Sequence, residues 1–250
     1  MLKIVDISSH QSPNFQNVGE DGAIIKATEG IDYVSPACNP QFTAYNDLNK
    51  LLGLYHYAQG LDPIEEADWF LNNIKNYLYK AVLVLDWESG SNQAWGDSNW
   101  PEKFVTHIHD RTGIWPLIYI QASAIEQVKN LSEKCGLWIA GYPDLRDSWL
   151  TPSFIYSTDP WPYFTGWQYS TSNGLLDRSI FNLSDNNWHS LANPKNDNSI
   201  NEDNNVYIVQ NGDTLINIAE KLSIPDWHIL IELNNIDNPD MITVGQTLKY

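Results

Sequence analysis

The sequence predicts an α/β fold: an irregular (β/α) barrel with fewer helices than a TIM barrel, followed by a small βααβ domain. Three observations support this prediction. Short apolar runs alternate with helical patterns along most of the chain, the helical patterns fade towards residue 170, and a compact pattern follows a polar stretch at 182–205. Repeated strand–helix units of this length favour a barrel of parallel strands over a two-layer α+β arrangement.

The strands are predicted from short apolar runs that show no polar alternation. Such runs are typical of strands buried on both faces, as in a parallel sheet. In chain order they cover residues 2–7, 22–28, 52–58, 81–88, 115–120, 137–140, 154–156 and 166–169. We therefore expect eight strands whose carboxyl ends meet at one mouth of the barrel.

The helices are predicted from apolar residues at helical spacing and from capping residues. In the barrel region they cover residues 40–51, 63–77, 100–111 and 123–130. The second helix has the clearest start, because Asp62 is a good N-cap residue and Pro63 suits the first helical position. The barrel region after residue 130 has no comparable pattern, so we expect a departure from the regular eightfold barrel.

Two carboxylates end the run 81–88, in the sequence Asp86-Trp87-Glu88. Side chains alternate along a strand, so Asp86 and Glu88 face one side and Trp87 faces the helices on the other. Paired acids at this end of a barrel suit glycoside hydrolysis, in which one protonates the leaving oxygen and the other steadies or attacks the sugar cation. Their mutual repulsion holds a proton near neutral pH. Asp6 adds a third acid at the end of the first strand.

The composition excludes several kinds of partner. The net charge of −17 repels nucleic acid and anionic surfaces, so attachment to a bacterial wall needs specific contacts. The 11 tryptophans and 13 tyrosines suit carbohydrate binding or an aromatic core. No apolar run is long enough to span a membrane, and the N-terminus lacks the layout of a signal peptide. We therefore expect a protein that is made in the cytoplasm, does not insert into membranes and acts on a wall after release.

No cofactor or metal ion is expected. Cys38 and Cys135 lack metal-ligand spacing, and two free buried thiols are the default expectation. His107 and His109 stand two positions apart on a predicted helix, so they do not share a face. For His56, which lies near the acid-bearing motifs, we favour a structural, hydrogen-bonded imidazole.

Seven motifs of the first domain, taken in order, resemble those of the family-25 glycoside hydrolases, the Chalaropsis-type lysozymes common among phage endolysins. They lie at residues 6–11, 24–30, 53–58, 85–88, 138–140, 167–169 and 177–181. The family's closing motif is D-x-N-x-F, and this chain has Ser179 in place of the asparagine. The resemblance covers roughly residues 2–190, and it implies a helix-poor barrel.

The resemblance implies cleavage of the β-1,4 bond between N-acetylmuramic acid and N-acetylglucosamine in bacterial peptidoglycan, with a Gram-positive wall as the expected partner. By position, Glu88 is the general acid/base, and Asp86 either assists the substrate's acetamido group or is itself the nucleophile. Asp6 and Asp177 line the site. The residues expected to bind substrate are Gln11, Tyr57, Tyr119, Trp138, Trp167 and Gln168. The aromatic members of this set could equally belong to the barrel core.

A domain boundary is predicted where Asn, Asp and Ser become abundant. We predict a barrel over 1–190, a linker over 191–205 and a small domain over 206–250.

The small domain resembles a LysM module, whose opening Y-x-V-x-x-G-D-T-L matches residues 207–215. The resemblance implies a strand–helix–helix–strand unit that binds N-acetylglucosamine in wall or chitin-like glycans. Asn211-Gly212 is predicted as a turn, and Asp213 or Thr214 as the cap of a helix over 215–222. The glycan groove is expected to use Gly212, Asp213, Thr214, Asn238, Met241 and Ile242.

The leading hypothesis is therefore a muramidase, and the N-terminus without a signal peptide favours a phage endolysin that lyses its host. One alternative is a non-catalytic protein that binds cell walls or chitin, against which the intact Asp86–Glu88 pair argues. A second alternative is a hydrolase of another N-acetylglucosamine polymer, such as chitin. The opening and closing motifs favour peptidoglycan over that substrate.

Overall fold

The computed structural model describes residues 1–11, 18–144, 147–171, 176–194 and 206–250, apart from 211, 223, 225, 235, 237 and 240. The chain divides into two compact units, residues 1–195 and 196–250. Most of the predicted linker, and Asn211 of the predicted turn, lie outside the described residues.

The first unit is a closed barrel with few helices, as the sequence predicted. Its strands within the described residues are β1 (Leu2–Ile7), β2 (Gly22–Glu29), β3 (Tyr33–Val34), β4 (Leu51–Tyr57), β5 (Val82–Asp86), β6 (Leu117–Gln121), β7 (Leu137–Ala140), β8 (Gly166–Ser170) and β9 (Asp177–Phe181). The short strand β3 pairs only with β2, at the rim. The other strands form the wall in the order β1-β2-β4-β5-β6-β7-β8-β9, and β9 closes it by pairing antiparallel with both β8 and β1.

One predicted strand is wrong, and another segment takes its place. Residues 154–156 form no strand. Instead, Phe154 and Tyr156 pack against the outward-facing ring of Trp167, with ring centroids 5.0 and 6.4 Å away. This aromatic layer covers β8 where a regular barrel would place a helix. The eighth wall strand is β9, which the sequence marked as a motif but not as a strand.

The helices of the first unit are α1 (Cys38–Asp47), α2 (Pro63–Asn73), α3 (Asn99–Thr112) and α4 (Asp185–Ala192). The Asp62 carboxylate accepts from the backbone N–H groups of residues 64 and 65, which confirms the predicted cap of α2. Helix α1 ends earlier than predicted, and Asn49, with a φ of 53°, turns the chain towards β4. Helix α2 also ends earlier than predicted, because Ile74, with a φ of −106° and a ψ of 12°, leaves the helical conformation. The predicted helix at 123–130 is two 3-10 segments, Ala122–Gln127 and Lys129–Leu131, because Val128 between them has a φ of −125°.

Helix α4 was not predicted, because it lies in the stretch 182–205, where Asn, Asp and Ser are abundant and a polar linker was expected to begin. Ser184 caps it by accepting from the backbone N–H of residue 187, and Trp188 is its buried anchor. The Trp188 ring meets the Phe181 ring edge-on at 5.2 Å, and its indole N–H donates to the Leu52 carbonyl at 2.9 Å. Phe181 itself fits because Gly166 has no side chain; a Cβ there would lie 2.5 Å from the Phe181 ring. Trp188 and Phe181 are therefore part of the apolar core inside the barrel.

The layer between the barrel and its helices is apolar and aromatic. Trp87 is fully buried in it and stacks on Trp100 at 5.0 Å, which confirms the predicted outward direction of Trp87. Cys38 and Cys135 are free and buried, as expected, and burial raises the pKa of these thiols to about 11 and about 12.

His56 is a buried structural residue of this outer layer. Its two ring nitrogens bond to the Thr28 hydroxyl at 2.8 Å and to the Glu66 carboxylate at 2.9 Å. Glu66 also accepts from the backbone N–H groups of Gln59 and Leu61. The predicted hydrogen-bonded imidazole is thus confirmed, and it ties α2 to the loop that follows β4.

The second unit has the predicted βααβ order: β10 (Val206–Ile208), α5 (Leu215–Lys221), α6 (His228–Asn234) and β11 (Thr247–Lys249). The two strands pair antiparallel over a small core that includes Leu215, Ile218, Leu230 and Leu248. Thr214 is the cap of α5.

Among the described residues, no helix combines the length and the apolar character that a membrane span requires.

Removing the Trp188 ring should destabilise the barrel. We expect Trp188→Ala to lower the free energy of unfolding by about 3–5 kcal/mol, the usual cost of truncating a large buried aromatic residue. The measurement is urea unfolding followed by circular dichroism. His189→Ala, at an exposed position of the same helix, is the matched control and should change little. Equal effects of both substitutions would contradict an anchoring role for Trp188.

Candidate active site

A polar pocket of about 230 Å³ opens among the inward-facing residues at one mouth of the barrel. Its lining residues are Asp6, Tyr55, Asp86, Glu88, Tyr119, Trp138, Tyr142, Gln168 and Asp177. The structure thus brings together the four predicted acids and three of the predicted substrate-binding residues. Because β9 runs antiparallel, its first residue, Asp177, lies at the same mouth as the carboxyl ends of the other strands.

Asp6 and Asp177 form one carboxyl pair. They are direct cross-strand partners on β1 and β9, and their side chains are hydrogen-bonded. Burial, followed by the charge of Asp177, raises the pKa of Asp6 well above its usual value. Burial also raises the pKa of Asp177, to about 6, against the opposing effect of its hydrogen bond with Asp6. A single proton shared between the two carboxyls satisfies both shifts near neutral pH.

Asp86 and Glu88 form the second pair, which we call the dyad. Burial, and then the charge of Glu88, raises the pKa of Asp86 well above its usual value. Burial also raises the pKa of Glu88, although its hydrogen bond with Asp86 acts in the opposite direction. The carboxyls of the dyad therefore keep a proton to a higher pH than isolated carboxyls do. Asp86 Oδ1 is buried and has no hydrogen-bond partner among the described residues, so it can accept an N–H from a bound molecule.

Lys26 supplies positive charge next to the dyad, a role that sequence reasoning missed. Its ammonium group binds Glu29 at 2.6 Å and lies 4.7 Å from the centre of the Tyr57 ring. The pKa values of Asp86 and Glu88, raised mainly by burial, are both lowered in part by this charge. The sequence did contain a signal for this role, because Lys26 stands inside the apolar run of β2. A charged residue is rarely half-buried in such a run without a partner.

Tyr55 and Tyr142 also line the pocket and were not predicted. Burial, and then the charges of Asp86 and Asp6, raises the pKa of Tyr55 well above its usual value. This phenol is therefore neutral at any working pH and can donate a hydrogen bond. Tyr142 is 40% exposed and stands at the pocket rim. Only the strand register could have indicated Tyr55. It lies two residues before Tyr57 on β4, so both side chains face the same side of the strand.

Three of the predicted substrate-binding residues do not line the pocket. Trp167 is 1% exposed, and its indole N–H donates to the Gly141 carbonyl at 2.9 Å on the outer side of the barrel. Gln11 accepts from the backbone N–H of Ser8, which closes the turn after β1. Tyr57 is near the mouth, where Lys26 covers its ring.

Trp138 lines the pocket but is nearly fully buried. Its indole N–H donates to the Ser179 hydroxyl at 3.1 Å. Ser179, where the resembled family usually has asparagine, thus acts here as the acceptor that fixes Trp138.

The predicted glycan-binding residues of the second unit differ in their availability. Asp213 is engaged within the unit, because its carboxylate accepts from the Tyr207 hydroxyl and from the backbone N–H of Gln210, both at 2.7 Å. Ile242 packs on the small core. Met241 is 71% exposed, and the backbone of Asn238 accepts from its N–H. Gly212 has a φ of 87°, which glycine adopts without strain.

The described residues contain no cluster of His, Cys, Asp or Glu that could hold a metal ion. The groups at the mouth are two carboxyl pairs with raised pKa values, a nearby ammonium group and neutral phenols.

Comparison with known proteins identifies the two parts of the chain. The family model for glycosyl hydrolases family 25 matches residues 5–177, and that for the LysM domain matches 207–249. The N,O-diacetylmuramidase of Chalaropsis sp is 30% identical over 209 residues, which cover 71% of this chain and 95% of the relative. The lysozyme of Streptococcus phage Cp-1 is 31% identical over 198 residues, and the match covers 72% of this chain but only 54% of the phage protein.

A solved structure of a muramidase from Acremonium alcalophilum matches with a TM-score of 0.63 and 26% identity, covering 78% of this chain and all of the other. Together with the family model, which spans more than half of the sequence, these matches agree with the barrel and its acidic mouth. The chain belongs to glycosyl hydrolases family 25 and carries a LysM domain after the barrel.

Proposed function

We propose that this peptidoglycan hydrolase is an N-acetylmuramidase, which cleaves the β-1,4 bond between N-acetylmuramic acid and N-acetylglucosamine. The observation that carries the proposal is the dyad: two buried carboxyls with raised pKa values line one open pocket, and Asp86 Oδ1 has no hydrogen-bond partner among the described residues. A carboxyl that keeps its proton near neutral pH is what protonation of a glycosidic oxygen requires.

Glu88 donates the proton to the bridging oxygen, and the N-acetylglucosamine product leaves with a new hydroxyl. The acetamido carbonyl oxygen of the muramic acid residue then bonds to C1, while its N–H donates to Asp86 Oδ1. Water next loses a proton to Glu88 and attacks C1, which breaks the temporary bond and regenerates the acid.

The geometry favours the acetamido group over Asp86 as the nucleophile. In retaining enzymes that use a carboxylate nucleophile, the two carboxyls stand about 5–5.5 Å apart on opposite sides of the bond. Here Asp86 and Glu88 stand two positions apart on one chain segment and line the same pocket, so they approach the bond from one side. Asp6 and Asp177 line the same pocket, and negative charge on this pair stabilises the positive charge that develops at C1.

The LysM domain is proposed to hold the enzyme on N-acetylglucosamine-containing glycan. Tethering of this kind raises the local concentration of substrate without changing the chemistry. The similarity to a phage lysozyme supports a role as an endolysin, made in the host cytoplasm and acting on the wall after release. A chitin hydrolase is the second candidate, since the LysM domain suits either glycan.

Loss of the Glu88 proton should stop turnover. We expect Glu88→Gln to lower the rate of hydrolysis by at least about 10²–10⁴-fold, the usual contribution of general acid–base catalysis. The measurement is reducing-end analysis of digested Gram-positive peptidoglycan, with the exposed Glu126→Gln as the matched control.

Wild-type protein should produce new muramic acid ends, and Glu88→Gln should still pellet with walls. New N-acetylglucosamine ends, or faster cleavage of chitin oligomers than of walls, would reject the proposed bond or substrate.

Removal of the Lys26 charge should shift the pH dependence. The ammonium group lowers the pKa values of the dyad, so Lys26→Met raises them, and the dyad keeps its proton to a higher pH. The descending alkaline limb of the kcat/KM profile should therefore move to higher pH. Lys129→Met, at an exposed site far along the chain, should leave the profile in place. A shift to lower pH would refute this electrostatic role.

Deletion of residues 206–250 should affect insoluble and soluble substrates differently. Activity on whole walls should fall much more than activity on small soluble fragments, because only the former depends on tethering. The measurement is the ratio of the two rates before and after deletion. Equal losses on both substrates would show instead that the LysM domain supports the fold of the barrel.

A further inference from the structure

Gln168 on β8 lies between Asp6 and two phenols. Its amide nitrogen stands 3.0 Å from each of the Asp6 carboxyl oxygens. Its amide oxygen accepts from the Tyr119 hydroxyl at 2.8 Å and also from the Tyr142 hydroxyl. Gln168 is only 3% exposed. We call Tyr119, Tyr142, Gln168 and Asp6 the relay.

These contacts fill the accepting capacity of the amide. The oxygen of a glutamine side chain has two lone pairs, and both are occupied here by O–H donors. The amide nitrogen donates to the carboxyl of Asp6. The amide oxygen is therefore not available to a sugar, and the amide nitrogen is already engaged with Asp6.

The phenols also fix which way the amide points. Hydroxyl donors on one side require the oxygen there, so the NH₂ group must face Asp6. Without the phenols, the amide could rotate by half a turn and place its oxygen against the carboxyl of Asp6. That arrangement is repulsive unless Asp6 carries the proton.

Tyr119 is the rigid end of the relay. Its side chain is 9% exposed, and its ring meets the Trp138 ring edge-on at 4.7 Å. Trp138 is fixed in turn by its hydrogen bond to Ser179. Tyr142 is the solvent-facing end, at 40% exposure. The relay thus runs from the pocket rim to the base of the carboxyl pair.

We propose that Gln168, held in one orientation by Tyr119 and Tyr142, is a positioning residue that fixes Asp6 in the active site. It acts through Asp6 and not by binding substrate. The inference rests on the proposed muramidase function for the reaction that Asp6 serves, but the relay itself can be tested without turnover.

The kinetic test compares kcat with KM for variants of the relay. Gln168→Leu should lower kcat by about a hundredfold, the cost of a small misplacement of a group at the reacting centre, with KM unchanged. Tyr119→Phe and Tyr142→Phe should each have a small effect, because the other phenol still holds the amide. The loss of kcat in the double variant should approach that of Gln168→Leu. It should therefore be much larger than the product of the losses in the two single variants.

The control is Tyr163→Phe, an exposed phenol outside the pocket, which should change neither constant. A higher KM at unchanged kcat for Gln168→Leu would mean that Gln168 binds sugar and would overturn the proposal. If the losses of kcat caused by Tyr119→Phe and Tyr142→Phe simply multiply in the double variant, the two phenols do not jointly hold the amide. That result would overturn the proposed orientation of Gln168.

The second test follows the Asp6 carboxyl by ¹³C NMR titration, with the signal assigned from Asp6→Asn. Other titratable groups face Asp6 from four strands and from the segments after β5 and β7: Tyr55, Asp86, Tyr119, Asp177, Glu88 and Tyr142. These are unchanged in Gln168→Leu. Loss of the amide donor destabilises the ionised carboxyl, so the pKa of Asp6 should rise in Gln168→Leu and in the double tyrosine variant.

The two tests separate the relay from the function. If the Asp6 titration does not move, the relay is rejected whatever the activity. If it moves but the wild-type protein releases no reducing ends, the relay is supported and the muramidase proposal fails.

Discussion

The active site depends on placing four carboxyl groups in one small pocket without letting them repel each other apart. Each group is removed from water, which raises its pKa. The charge of the paired acid raises the pKa of Asp6 and Asp86 further, whereas contact with the paired acid opposes the rise for Asp177 and Glu88. Isolated charges in such surroundings would be costly. Placing the acids in two pairs lowers this cost, because one carboxyl of a pair can share a proton with the other. In the proposed reaction the Asp86–Glu88 dyad supplies the proton, and the Asp6–Asp177 pair supplies negative charge.

The barrel topology makes this pairing possible. In a barrel of parallel strands, only the carboxyl ends of strands reach the mouth. Here β9 runs antiparallel, so its first residue stands beside the end of β1, and Asp177 meets Asp6 directly. At the other side of the mouth, Asp86 and Glu88 share a face because they are two positions apart on one chain segment. The two pairs therefore have different origins: one comes from local periodicity and the other from strand direction.

Neutral and cationic neighbours influence the pKa and the orientation of the carboxyls in each acidic pair. Lys26 lies near the dyad and limits how far its proton affinity rises. Gln168 donates to Asp6 through its amide nitrogen, and two phenols hold the amide in that orientation. Beneath this polar layer, the apolar side chains of Phe181 and Trp188 pack inside the barrel. The polar mouth thus stands on a rigid core, as positioned acid–base chemistry requires.

The sequence by itself determined the features that depend on local pattern. Unbroken apolar runs marked seven of the eight wall strands, Asp62 and Pro63 marked the start of α2, and the two-residue spacing of Asp86 and Glu88 placed them on one face. The resemblance, drawn from ordered motifs, added the family and the position of Asp177. The tertiary structure decided what depends on partners distant in the chain. It made 177–181 a strand and 154–156 an outer aromatic cover, because each is stabilised by neighbours more than ten residues away. It turned a polar segment into helix α4 through one buried ring, Trp188. It also placed Tyr55, Tyr142 and Lys26 at or beside the pocket and left Trp167 outside it, because direction relative to the barrel axis follows from register, which residue type alone does not encode.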